Sequence, residues 1–173
     1  PQYPRTSTSA GTAERHVSPE RSKVDRYSHA AAVLGNRLFL LIGHCEKGGP
    51  MSYGDVESTA VRTDGHLEPW QIAETRLLNA RFIASAFALG DYLYLLGGHD
   101  GTRRLATVEM AAVSSDGKVR AWSPLKSLNY KRSATAVALS GTTIYIAGGM
   151  GDQSGLRSAH KVQENHQGKW GHS

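Results

Sequence analysis

The sequence predicts an all-β fold built from three repeats of a four-stranded antiparallel sheet. Three observations support this prediction. The same landmarks recur about every 50 residues, each repeat contains short apolar runs separated by turn residues, and no stretch shows helical periodicity. The chain has 173 residues, of which 39% are hydrophobic, so it is long enough to bury a sizeable core.

A run of apolar residues that ends at a glycine pair marks each repeat. The three copies are LFLLIGHCEK at Leu38–Lys47, YLYLLGGHDG at Tyr92–Gly101 and TIYIAGGMGD at Thr143–Asp152. The first glycines, Gly43, Gly97 and Gly148, are 54 and 51 residues apart. On this alignment Gly98 and Gly149 complete their pairs, and His44 replaces the second glycine of the first copy.

Two further landmarks keep nearly the same period. An arginine precedes a stretch of small and apolar residues in each repeat, at Arg26, Arg81 and Arg132, with spacings of 55 and 51 residues. A tryptophan closes each repeat, at Trp70, Trp122 and Trp170, with spacings of 52 and 48 residues. Glycines and tryptophans that recur in this way are expected to have structural roles.

The second repeat shows the predicted strands most clearly. They are Phe82–Leu89, Tyr92–Leu96, Thr107–Val113 and Val119–Trp122. The residues LGD connect the first two strands, and SDG connects the last two, and both are typical of tight turns. Four short antiparallel strands per repeat are the signature of a β-propeller blade, and Trp122 is then expected to be buried between blades.

The glycine pair has two possible interpretations: it ends a β-strand, or it forms a phosphate-binding turn. A phosphate site of this kind needs a helix directly after the glycines. The segment that follows Gly101, TRRLATVEMAAV, is compatible with a strand. We therefore prefer the interpretation that the glycine pair ends a strand.

The repeats divide the chain into an N-terminal arm and three blades. The arm, residues 1–25, is polar and is expected to be disordered alone; ordering against a partner and a plain linker are both open as its role. The blades occupy about 26–72, 81–123 and 132–171 within residues 26–173. Propellers close with about four to eight blades, so three blades leave an open arc. Three explanations stay open: a segment of a longer chain, two chains that close a six-bladed ring, or docking on other subunits.

At these landmarks the chain resembles kelch-repeat proteins. The stretches YLYLLGG and TIYIAGG, each with a later tryptophan, carry the resemblance over about residues 26–170. The endings TDGHLEPW and SDGKVRAW resemble kelch-like repeats of bacterial surface and secreted proteins in particular. The resemblance implies a propeller that binds proteins through its loops, and it favours an extracytoplasmic location over a cytoplasmic one.

Charge and composition narrow the remaining function classes. The formal net charge is +5 and the pI about 9.5, but no basic run occurs, so specific nucleic-acid binding is not expected. No apolar run approaches the roughly 18 residues of a membrane-spanning helix. Cys45 is the single cysteine, which excludes an intrachain disulfide.

Catalysis has weak support in the sequence. A copper oxidase of the galactose-oxidase kind would need paired tyrosine and histidine ligands, and His44 with Cys45 does not make a metal site. The sialidase Asp-box does not match TDGHLEPW, because Asp64 and Gly65 are adjacent. We therefore expect no catalytic residues, no cofactor and no metal.

The predicted function is a non-enzymatic interaction or structural module that binds proteins or further blades through its loops. The alternative is part of a galactose-oxidase-like or sialidase-like enzyme, or of a glycan-binding domain, whose site other blades complete. The loops after the glycine pairs are the expected binding surface. The candidate partner-binding residues, whose arginines could instead be packed within the blades, are Arg26, Arg81, His99, Asp100, Arg103, Arg104, Arg132 and Asp152.

Overall fold

The protein is described here by a computed structural model, which covers residues 20–44, 54–164 and 170–172. These residues form three four-stranded antiparallel sheets and contain no helix. The first sheet is β1 (Ala30–Leu34), β2 (Arg37–Leu41), β3 (Val56–Ala60) and β4 (Gln71–Ile72). The second is β5 (Ser85–Leu89), β6 (Tyr92–Leu96), β7 (Val108–Ala112) and β8 (Ser123–Leu125), and the third is β9 (Ala136–Ser140), β10 (Thr143–Ala147), β11 (Ala159–Glu164) and β12 (Trp170–His172).

Each sheet has its strands in chain order, so neighbouring strands are joined by simple reversals. The first two strands of every sheet form a hairpin with a two-residue connection that begins with a glycine of positive φ. Such a turn matches the right-handed twist of the paired strands. The turn fixes a register in which Leu89 lies opposite Tyr92 and Ser85 lies opposite Leu96.

In the second sheet one strand agrees with the prediction and three differ from it. The second strand agrees with the prediction, and the third is one residue shorter at each end. The first strand begins at Ser85 and not at Phe82, because Ile83 adopts a left-handed conformation with φ of 52° and interrupts it.

The fourth strand was placed too early in the prediction. Val119 makes only an isolated bridge to Val113, and pairing resumes at Ser123–Leu125. Trp122 lies between these two pairings, and its side chain turns into the core, where it is only 5% exposed. Its predicted burial is confirmed, whereas the predicted strand Val119–Trp122 is wrong.

The core lies between successive sheets. One apolar cluster joins the first and second sheets and includes Phe39, Leu41, Leu93, Leu95 and Trp122. A second cluster joins the second and third sheets and includes Phe87, Tyr94, Leu96, Ile144 and Ile146. The first strands of neighbouring sheets also lie side by side, β1 against β5 and β5 against β9. The sheets are thus packed face to face in the order of the chain.

Three features that the sequence predicts lie wholly or partly outside the described residues. The arm is described only from residue 20, and the loop that follows His44 is not described until Gly54. Cys45 falls in that loop. Trp170 lies in β12, but its side chain is outside the described part of the chain.

Candidate functional site

The most regular arrangement of polar groups lies at one end of the sheets, which we call the arginine end. Here the first strand of each sheet begins and the second strand ends. The three repeat arginines, Arg26, Arg81 and Arg132, enter the protein at this end. Both Arg81 and Arg132 have no exposed surface, and the side chain of Arg26 is 2% exposed.

The second sheet shows how a buried guanidinium is held. Arg81 donates hydrogen bonds to the carbonyl oxygens of Gly97 at 2.9 Å, Asn79 at 3.0 Å and Thr107 at 3.2 Å. It also forms a buried ion pair with Glu109. A buried charge is tolerated when it is paired and its donors are satisfied, and this arrangement meets both conditions.

The carboxylate of Glu109 also holds the segment that connects the sheets. It accepts hydrogen bonds from the amide of Leu78 at 2.8 Å, and from the amide and side chain of Asn79 at 3.2 Å and 3.0 Å. The Arg81–Glu109 pair therefore holds the connection from the first sheet against the third strand of the second sheet. We call this arrangement the arginine–glutamate clamp.

The first sheet repeats the clamp with different residues. Arg26 donates to the carbonyl of Ile42 at 2.9 Å and of Asp55 at 3.4 Å, and it pairs with Glu57. Glu57 in turn accepts the amide of Lys23 at 2.5 Å. Lys23 and Leu78 both lie three residues before the arginine of their clamp. The same clamp geometry therefore recurs in the first two repeats.

The third sheet has a reduced form of the clamp. Arg132 donates to the carbonyl of Gly148 at 2.8 Å and to the hydroxyl of Ser158 at 3.0 Å. Burial lowers the pKa of Arg132, and it also lowers the pKa of Arg81, where the Glu109 carboxylate opposes the effect.

These contacts correct one part of the predicted binding set. Arg26, Arg81 and Arg132 were placed among the partner-binding residues, but their guanidinium groups are buried and bonded within the chain. A buried group has no accessible surface to offer another protein. The blade-packing reading of these three arginines is therefore the correct one.

The clamp also corrects the alignment of the glycine pairs. Ile42 has φ of 61°, close to the values of 63° and 64° at Gly97 and Gly148. His44, His99 and Met150 then occupy equivalent bridges to Tyr27, Phe82 and Ser133. Gly43 is consequently the second residue of its pair, and Ile42 replaces the first. Gly43, Gly98 and Gly149 are 55 and 51 residues apart, the same spacings as the arginines.

A row of rings lies across the arginine end and links the first two sheets. The ring centroids of Tyr27 and His44 are 3.9 Å apart, those of His44 and Phe82 are 4.7 Å apart, and those of Phe82 and His99 are 5.3 Å apart. Each of these two sheets contributes two rings to the row, one from the residue after its arginine and one from the residue after its glycine pair. Tyr27 is 37% exposed at the outer end of the row.

The loop that follows His99 is held by its own hydrogen bonds. The Asp100 carboxylate accepts the amides of Thr102 and Arg103, both at 2.8 Å, and these two bonds hold its pKa below the usual value. His99 Nδ1 accepts the amide of Gly101 at 3.0 Å. Asp100 and His99 therefore shape this loop, which presents the side chain of Arg103 at 71% exposure.

The other two predicted surface residues differ from each other. Arg104 is half-buried, and within the described part of the chain its Nε has no hydrogen-bond partner. Asp152 is exposed in the next loop and pairs with Lys131 at 3.2 Å. Tyr130 and Met150 lie beside this pair at 55% and 43% exposure.

At the arginine end, His99 Nδ1 and Asp100 Oδ1 both accept hydrogen bonds from backbone amides. Among the described residues, no group of three or more histidine, cysteine, aspartate or glutamate side chains could hold a metal ion. The same residues contain no helix long and apolar enough to cross a membrane.

Sequence reasoning missed the two clamp glutamates. Glu57 and Glu109 each follow a valine at the start of a third strand. A glutamate at the second position of the third strand in two repeats was an available signal of a partner for the arginine. Tyr27 and Tyr130, which lie next to or near those arginines in sequence, were also missed.

Comparison with known proteins supports the fold alone. No protein-family model matches the chain, whereas 156 chains of solved structures do. One is the structure of YjhT, which is 15% identical, with a TM-score of 0.68 over 89% of this chain and 47% of that one. The chain thus has the fold of part of YjhT and spans about half of its length.

Proposed function

We propose that this chain is a run of three kelch-like β-propeller blades that acts as a non-enzymatic protein-interaction module. The repeated clamp, the face-to-face sheets and the likeness to half of a larger structure support the propeller assignment. The binding surface in this proposal is the arginine end, where the loops lie on a scaffold fixed by buried ion pairs. Binding residues commonly lie on loops that a rigid scaffold positions.

The observation that carries the proposal is the composition of the exposed surface at this end. Tyr27, Tyr130 and Met150 are exposed there, and Arg103 extends from the Asp100 loop. Tyrosine, methionine and arginine are enriched in protein interfaces, where they supply area and directed hydrogen bonds. Because the exposed charge beside these side chains includes an arginine, we expect a partner segment that is acidic.

The experiment uses a random peptide display library, selected on the purified chain and then tested on two charge-reversal variants. Arg103→Glu removes the exposed cation at the arginine end. Lys118→Glu is the matched control at the opposite end, because both side chains are 71% exposed and lie 3.5 Å from an aspartate. We expect selection of acidic peptides whose affinity falls on the order of tenfold with Arg103→Glu and is unchanged with Lys118→Glu.

Two results would contradict the proposal. One is a selection that yields no binding peptides. The other is a set of peptides that bind Arg103→Glu as well as the unmodified chain, because the arginine end would then not be the contact surface. Circular dichroism of both variants provides the folding control.

A further inference from the structure

The two internal interfaces of the protein are built from the same pair of faces. We call the face of a sheet that packs against the next sheet its forward face, and the opposite one its rear face. The forward face of the first sheet presents Phe39 and Leu41, which pack against Leu93 and Leu95 on the rear face of the second. All four side chains are fully buried.

The second interface repeats this arrangement one sheet later. The forward face of the second sheet presents Phe87 and Tyr94, which pack against Ile144 and Ile146 on the rear face of the third. By their register, Phe39, Tyr94 and Tyr145 occupy the same position in successive sheets. Phe39 and Tyr94 are fully buried, whereas Tyr145 is 44% exposed.

One forward face and one rear face therefore remain uncovered in the described residues. The forward face of the third sheet exposes Tyr145 with the four alanines Ala136, Ala138, Ala147 and Ala159, and also the polar residues Ser140 and Lys161. The rear face of the first sheet exposes Ala31 and Val33, the latter at 61%. These two surfaces are the two halves of an interface that the molecule already forms twice.

Backbone hydrogen bonds repeat across both internal interfaces. The amides of Gly43 and Gly98 donate to the carbonyls of Arg81 and Arg132 in the next sheet, at 3.2 Å and 2.8 Å. Ile83 and Ala134 donate to the residues at their own positions in the preceding sheet, Ser28 and Ile83, both at 3.0 Å. Within the described part of the chain, the equivalent Gly149 amide makes no bond of this kind.

Gly148 supplies a second, independent sign of a missing neighbour. A Cβ at Gly97 would overlap the carbonyl oxygen of Arg132, so the next sheet approaches too closely for a side chain. Gly148 occupies the same position in the third sheet, yet the nearest atom to a Cβ there is 3.7 Å away. The space that a further arginine carbonyl would fill is open.

We propose that the forward face of the third sheet binds the rear face of the first sheet of a second copy of this chain. The contact joins two different surfaces, so each copy can form one contact through its forward face and another through its rear face. Two copies supply about the length of the YjhT chain, of which one copy matches 47%. The proposal is that two copies close on each other through two such contacts. It is independent of the peptide surface at the arginine end.

The test measures the solution mass of the purified chain by light scattering after size exclusion. We expect twice the mass of 18.7 kDa. Tyr145→Asp blocks the forward face and Val33→Asp blocks the rear face, so each variant alone is expected at the single-chain mass. Tyr130→Asp is the control, because Tyr130 is 55% exposed and lies in the connection between the second and third sheets.

Mixing the two blocked variants tests whether the contact is head-to-tail. The intact forward face of Val33→Asp can still receive the intact rear face of Tyr145→Asp, whereas the second contact of the mixed pair would carry both aspartates. The mixture is therefore expected to form more of the doubled mass than either variant alone at the same concentration, but less than the unmodified protein. A single-chain mass for the unmodified protein, or a doubled mass that both variants retain, would overturn the proposal. A mixture that associates no more than its separate components would overturn the head-to-tail contact, and circular dichroism identifies any variant that does not fold.

Discussion

At the scale of single residues, the buried arginines explain much of the repeat. Each guanidinium binds the backbone where the second strand ends, and in two sheets a glutamate completes the pair and binds the segment that leads into the sheet. Removing one partner of a buried pair leaves an uncompensated charge in a poorly polarisable environment. The clamp should therefore be sensitive to a change that preserves shape and removes only charge.

Glu109→Gln provides this change, since glutamine has nearly the shape of glutamate. Because Arg81 would keep its charge without a carboxylate partner, we expect a loss of about 3–5 kcal/mol in the free energy of unfolding, measured by urea denaturation. Glu74→Gln, at an exposed position, is the control and should have little effect. Equal, small changes in both variants would mean that the ion pair does not stabilise the sheet.

The sequence was informative about residue identities but not about their contacts. Arginine at a fixed period indicated a repeated structural role, but it left open whether each arginine lies on the surface or in the packing. Only the fold places Glu109 beside Arg81, because 28 residues separate them in the chain. Long-range pairing of this kind leaves a weak local signal, whereas the Asp100 turn depends on neighbours in sequence.

At the scale of the strand and its ends, local pattern predicted the hairpins well and the irregular segments poorly. Tyr92–Leu96 agrees with the prediction because an apolar run between turn residues is a strong signal. A residue with φ between 51° and 55° precedes the first strand of each sheet and interrupts the extended conformation there. These residues are Ser28, Ile83 and Ala134. None of them is glycine, so nothing in the composition marked the break.

Gly98→Ala tests the close approach of chain segments at the end of the second strand. Its added Cβ would lie 2.7 Å from the Cβ of Ala84 and 2.9 Å from the carbonyl oxygen of Phe82. Gly65→Ala is the control, because Gly65 has φ of 83°, close to the 96° of Gly98, but no atom within 4 Å of such a Cβ. We expect Gly98→Ala to lower the free energy of unfolding by roughly 1–3 kcal/mol more than Gly65→Ala.

The comparison between the two variants isolates crowding from backbone conformation. Equal losses in chemical denaturation would show that positive φ alone explains the glycine. They would also show that the segments at the arginine end tolerate a side chain there.

At the scale of the whole molecule, the protein is a series of equivalent sheets with an unmatched surface at each end. The two internal interfaces bury Phe39 and Tyr94 fully, while Val33 and Tyr145 at the ends of the series stay exposed. Repeat proteins obtain their stability largely from contacts between neighbours. Exposed apolar patches often mark interaction sites, and we propose this role for the two open faces.

Both proposals follow from this arrangement, but they concern different surfaces. The loops at the arginine end point away from the sheets and are suited to a peptide partner. The forward and rear faces are suited to another sheet of the same kind. The sequence indicated that three blades leave an open arc; the register of β9 and β10 and the unpaired backbone positions identify which surface is open.

Amide hydrogen exchange at Gly43, Gly98 and Gly149 tests the central claim most directly. These amides hold one position in three equivalent sheets, and two of them donate to the sheet that follows. We predict slow exchange at Gly43 and Gly98 at every protein concentration, and slow exchange at Gly149 only where the doubled mass is observed. Fast exchange at Gly98, or exchange at Gly149 that does not change with association, would contradict the account.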